Sequence, residues 1–182
     1  MIEMVKALGK SQSTPASGGP VHTGAAGSDR LVEAIELLFF AYRDFISDPD
    51  ELLAEYDFGR AHHRVVHFVG RNPGITVAEL LNILRITKQS LARVLKQLIE
   101  RGFVEQETGR QDRRQRLLSL TQAGRDLLER LEAPQRARVA RALEKAGPEA
   151  DAAWRAALLA LVNEEDCSEV ERLISASPAD KK

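Results

Sequence analysis

Residues 72–105 read NPGITVAELLNILRITKQSLARVLKQLIERGFVE. The chain turns at Asn72-Pro73-Gly74. Thr76 can accept the backbone N–H three residues on, and Glu79 can reach back. That capping box opens a short helix over 77–84. Arg85-Ile86 leaves room only for a tight connection. Thr87 is a second N-cap, opening a helix over 88–101, and Gly102 is a natural C-terminal stop. In the second helix Leu91, Val94, Leu95 and Leu98 fall at i, i+3, i+4 and i+7, one apolar stripe. Lys88, Gln89, Ala92, Arg93 and Lys96 lie off that stripe, and Thr87 and Ser90 occupy the first turn.

The next residues predict two strands, over 103–108 and 115–120, joined by Gly109-Arg110-Gln111-Asp112-Arg113-Arg114. Two helices with a tight turn, then a hairpin, make a winged helix-turn-helix. In that fold the second helix packs one face on the domain and offers the other to the major groove. Gln89 suits adenine and Arg93 suits guanine, while Ser90 and Ala92 allow close approach. Thr87 and Ser90 can donate to phosphate at the positive end of the helix, and Lys88 and Lys96 add charge. Periodicity alone fits an ordinary amphipathic helix with a solvated basic face equally well. The hairpin shifts the balance. Arg110, Arg113, Arg114 and Arg116 crowd one tip and repel one another unless a polyanion is near. Asp112 can anchor one of them, Arg114 first, by a charge-assisted bond. Arg110 or Arg113 is then left for a minor groove or phosphates.

Outside this region the pattern is helical. Leu31, Ile35, Leu38 and Tyr42 recur at helical spacing from Asp29, with Val32, Phe39 and Phe45 widening the stripe. This helix is expected to stop near Ser47, before Asp48-Pro49, with a short turn over 51–56. Another helix is expected over 58–69, ended by Gly70 and Asn72-Pro73-Gly74. Thr121 caps a helix over 122–145 that Pro134 is expected to kink or split. After Gly147-Pro148, an amphipathic helix over 149–162 carries Trp154, Leu158, Leu161 and Val162, and resumes through Val170, Leu173 and Ile174.

Composition sets the frame. With 182 residues, 43% hydrophobic and only 5% aromatic, the chain reads as mainly α with a small β-hairpin wing. No apolar run approaches the ~20 residues of a membrane span. The first twenty residues lack the apolar core of a secretory signal, so a cytoplasmic protein is expected. The single cysteine, Cys167, fits a reducing compartment. The net charge of −1 conceals a basic middle. Residues 57–125 hold 13 Arg and Lys against 6 Asp and Glu, whereas 28–56 hold 2 against 8. That asymmetry suits a polyanion-binding module within a scaffold. There is no nucleophile–base set and no phosphate-cradling glycine loop, so no enzyme activity is expected.

The stretch 72–80, the stretch 98–105 and above all 112–124 (DRRQRLLSLTQAG) resemble regulators of the MarR type. The resemblance runs over about 31–174. It implies a homodimer paired through N- and C-terminal helices, a pseudo-palindromic double-stranded DNA site, and often a small-molecule effector or oxidant that releases DNA. After an arm (1–27) whose Ser, Gly, Ala, Pro and Thr content predicts flexibility, it divides the chain into a dimerisation helix and linker (28–56), a DNA-binding domain (57–120), C-terminal dimerisation helices (121–176) and a tail (177–182). The broad apolar stripes of the terminal helices agree, because a small domain buries such stripes poorly alone. Peroxide-sensing members carry a cysteine near the first helix. Here the only cysteine is Cys167, among carboxylates that disfavour a thiolate, so that mechanism is not supported.

His62, His63 and His67 fall on one helix, with His63 and His67 at i and i+4. The spacing permits a metal, or haem ligation by one histidine, on a helix that borders the effector cavity in the resembled family. Two histidines without further ligands fit helix–helix packing better, and no cofactor is expected. Two other functions stay open at this point: a sensor working through the histidine helix, and a scaffold whose basic wing meets an acidic partner.

Overall fold

A computed structural model describes residues 25–109 and 114–175. The element order is α1 (Ala25–Ala54), α2 (Arg60–Arg71), β1 (Ile75–Thr76), α3 (Val77–Leu84), α4 (Lys88–Glu100), β2 (Val104–Thr108), β3 (Arg116–Leu120), α5 (Gln122–Ala146), α6 (Ala150–Ala160), a 3-10 turn (Glu164–Asp166) and α7 (Cys167–Ser175). The chain forms two compact units, Met1–Phe40 and Ala41–Lys182. In the first, the described residues 25–40 are helical, and Leu31, Val32, Ile35, Leu37, Leu38, Phe39 and Phe40 are exposed.

The second unit holds the core. Val65, Val66 and Val69 of α2, Leu80 and Leu84 of α3, the α4 stripe, Val104, Leu118, Leu120, Leu127 and Leu131 form one buried cluster. The sheet order is β1-β3-β2, antiparallel throughout. Val104 pairs with Leu120 and Thr108 with Arg116. β1 escaped the sequence reading because it is two residues long, pairing Ile75 with Leu118 and Thr76 with Leu117.

Several helix boundaries differ from expectation, and α1 already includes Ala25 where a start at Asp29 was expected. α1 does not stop at Ser47 but runs to Ala54 with Pro49 inside it. Proline has no N–H to give the carbonyl four residues back. That carbonyl, Phe45 O, instead accepts from Gln135 Nε2 of α5 at 3.3 Å. Pro134 likewise does not split α5, which is continuous over 25 residues. α2 begins and ends two residues later than expected. Gly70 is not its stop: a Cβ there would overlap the Leu120 and Leu128 side chains, so glycine lets α2 approach α5 closely. The helix ends on Asn72, whose Nδ2 donates to Phe68 O at 2.8 Å.

Candidate nucleic-acid interface

Thr76 Oγ1 accepts from Glu79 N at 3.2 Å, and the Glu79 carboxylate accepts from Thr76 N at 2.8 Å, so the expected capping box is present. Thr87 Oγ1 accepts from Ser90 N at 3.1 Å and donates to Ser90 Oγ at 2.8 Å. The faces of α4 separate cleanly. Leu91, Val94, Leu95 and Leu98 are at most 5% exposed. Thr87, Lys88, Gln89, Ser90, Ala92, Arg93 and Lys96 are all exposed. Lys96 lies 3.7 Å from Glu100, a solvated pair worth ~0–1 kcal/mol and easily exchanged for another anion.

Other side chains, not singled out from sequence, hold this helix pair. Arg64 of α2 donates to Leu84 O at 2.9 Å, satisfying a carbonyl at the end of α3. Arg85 takes a left-handed conformation in the connecting turn (φ 49) and pairs with Asp166. Arg101, after α4, donates to Tyr56 O and lies 5.1 Å from the Phe58 ring centroid. None carries a local sequence signature, because each partner is at least 20 residues away.

In the wing, Gly109 N donates to Gln115 O at 3.0 Å and Arg116 Nη1 to Thr108 Oγ1 at 2.7 Å, tying the strands together. Arg114 and Arg116 are exposed. Arg110, Asp112 and Arg113 lie outside the described residues, and with them the expected Asp112–Arg114 anchor.

The histidines separate into two groups. His62 is buried, and both its ring nitrogens are engaged. Nδ1 accepts from Gly59 N at 3.1 Å, capping α2, and Nε2 lies 2.8 Å from Gln97 Oε1. Its ring stacks on Phe58 at 4.4 Å. His62 therefore has no nitrogen left for a metal. His63 and His67 do share a face, and line a cavity of about 320 Å³ with Tyr42, Phe45, Arg60 and Arg64. His67 Nδ1 lies 2.9 Å from Glu132 Oε1, and Arg136 donates to Glu132 Oε2 at 2.8 Å. The bond to His67 holds the Glu132 carboxyl below the ordinary carboxylate range. Burial, then the charge of His67, pushes His63 below the usual histidine value. Among the described residues no group of three or more His, Cys, Asp or Glu could hold a metal ion. The Cys167 sulfur lies 3.4 Å from Asn163 O.

Comparison with known proteins agrees with this geometry. The sequence profile of the MarR family matches residues 56–115. The HTH-type transcriptional regulator PetP of Rhodobacter capsulatus is 46% identical over 149 residues, spanning 78% of this chain and 90% of that protein. The chain belongs to the MarR family. The MarR-type fold extends beyond the matched stretch. Streptococcus pneumoniae FabT, solved in complex with DNA, superposes with a TM-score of 0.63 at 21% identity, covering 74% of this chain and 94% of FabT. A mutant E. coli MarR, solved with operator DNA, gives a TM-score of 0.57 at 20% identity, covering 74% and 97%. Among the described residues of this MarR-family chain, no helix is long and apolar enough to cross a membrane.

Proposed function

We propose that this MarR-type transcription regulator binds double-stranded DNA as a homodimer, placing α4 in the major groove of each half of a pseudo-palindromic site. The observation that carries the reading is the division of α4. Its buried leucine and valine stripe fixes the rotation of the helix, so Lys88, Gln89, Ser90 and Arg93 face outward together. Arg114 and Arg116 bring positive charge to the wing, where Arg110 and Arg113 join them in sequence. Pairing through the terminal helices is supported by their exposed apolar side chains, including Leu31, Ile35, Phe39, Trp154, Leu158 and Leu161. The protein acts in the cytoplasm, where chromosomal DNA is found, and needs no cofactor. A small-molecule effector is a second element of the proposal. Arg60, paired with Asp50 at 2.9 Å, lines the cavity with Arg64 and His63, and Arg64 also holds the end of α3.

The test is selection of bound duplexes from a random library, followed by footprinting and light scattering. The expected result is a two-fold symmetric site with half-sites about 10 base pairs apart, bound by twice the monomer mass. No enrichment over random duplex would refute the reading.

A further inference from the structure

The hydrogen bonds of His62 determine how the Gln97 amide is turned. Gly59 N donates to Nδ1, so Nδ1 carries no proton and the ring proton sits on Nε2. Nε2–H must then donate, and its partner 2.8 Å away is an acceptor, Gln97 Oε1. With the oxygen held inward, the Gln97 NH2 is the free end of the amide, and it has no partner among the described residues. Gln97 is exposed, although its neighbour Leu98 is buried. It lies four residues after Arg93, so the two share one ridge of the recognition helix, while Arg101 beyond the helix end is turned to Tyr56 O and the Phe58 ring. A neutral donor fixed one turn from a cation on an exposed helix face suits an anionic oxygen.

We propose that Gln97 is a further DNA-binding residue, donating its NH2 to a backbone phosphate, and that His62 is the residue that positions it. The inference rests on α4 being the DNA-reading helix. His62 thereby links the N-terminus of α2 to the DNA-facing side of α4 through one imidazole. The contact is to phosphate and carries no base preference.

Duplex affinity is measured for wild type and for Gln97→Met, Gln97→Glu and Arg93→Ala, on the selected site and on random duplex, across a salt series. Gln97→Met keeps the length of the side chain but loses the NH2. It should weaken both duplexes about tenfold, the usual loss for one hydrogen bond to a charged group. Its salt slope should match wild type, because a neutral amide releases no counterion. Gln97→Glu keeps an acceptor for His62 Nε2–H and turns a carboxylate towards phosphate, so it should bind more weakly than Gln97→Met while melting like wild type. In the Gln97→Met background, His62→Ala should change the affinity of the folded protein less than about twofold. In the wild-type background it should cost as much as Gln97→Met. If Arg93→Ala weakens binding while Gln97→Met stays within about twofold of wild type, the role of Gln97 is overturned and the DNA-binding reading stands. If wild type prefers no duplex at all, the DNA-binding reading falls first. Should His62→Ala fail to fold, the two Gln97 variants still decide.

Discussion

Gly124→Ala tests the junction between wing and α5. Gly124 is in the first turn of α5, and its N–H donates to Thr121 Oγ1 at 3.1 Å. Thr121 N donates to Phe103 O at 3.1 Å and Thr121 Oγ1 to Gly102 O at 2.6 Å, so three hydrogen bonds meet here. A Cβ at 124 would overlap Phe103 O and stand 3.0 Å from Phe103 C and 3.2 Å from Leu120 Cβ. Carbon–oxygen contacts settle near 3.3–3.6 Å, so α5 or the loop would have to shift by on the order of 1 Å. The obstacle is backbone, not a flexible side-chain tip. Overpacking of this kind costs ~1–3 kcal/mol, and weakening the junction bonds adds about 1 kcal/mol. The better helix propensity of alanine returns up to ~1 kcal/mol. The net loss is therefore about 1–3 kcal/mol, or roughly 2–12 °C in Tm for a protein of this size. Circular dichroism melts at 222 nm measure it, with Gly59→Ala as control because a Cβ at 59 meets nothing within 4 Å. A Gly124→Ala melt within about 2 °C of wild type would refute the packing argument.

Thr87→Ala removes the cap that accepts from Ser90 N and should cost about 1 kcal/mol, whereas Thr87→Ser should keep most of it; denaturant midpoints compare the two. Arg93→Ala should lose about 1–3 kcal/mol of discrimination between the selected site and one-base variants, while Lys88→Ala should weaken all duplexes and lower the salt slope by about 1, both read by titration. His63 titrates below its ordinary 6.5 in the folded chain, so the unfolded chain takes up the proton first. Stability should accordingly drop as pH falls below about 6.5, and urea midpoints of His63→Asn should drop less over that range. Glu132 works through a lowered carboxyl value: its stabilising pair is present above the ordinary 4.5 and is lost as pH falls through the lower folded value. The stability gap between wild type and Glu132→Gln should narrow in acid.

How much of this was readable in advance depended on the reach of each interaction. The caps at Thr76 and Thr87 act over three residues, and the Leu91–Leu98 stripe over seven, so α3 and α4 stood in the sequence almost as they fold. The hairpin strands came within one residue of their bounds. The outward face of α4 followed by subtraction from the stripe, but Gln97 did not stand out, because what distinguishes it is a histidine 35 residues earlier. His62 looked like one of a trio of possible ligands. Its neighbours in space, Gly59, Phe58 and Gln97, make it a cap and a strut. Arg64 and Arg85 were two cations among 26 until the end of α3 and the 3-10 turn before α7 came beside them.

Pro49 misled the reading for the same reason, and the repair it receives has a consequence for assembly. The carbonyl it orphans is answered by a side chain 90 residues downstream. Until α5 arrives, the last turns of α1 have a gap in their own ladder, and water must fill it. The continuity of α1 past Pro49 thus draws on α5. During synthesis the early helix waits, unfinished at Phe45, for a glutamine that has yet to leave the ribosome.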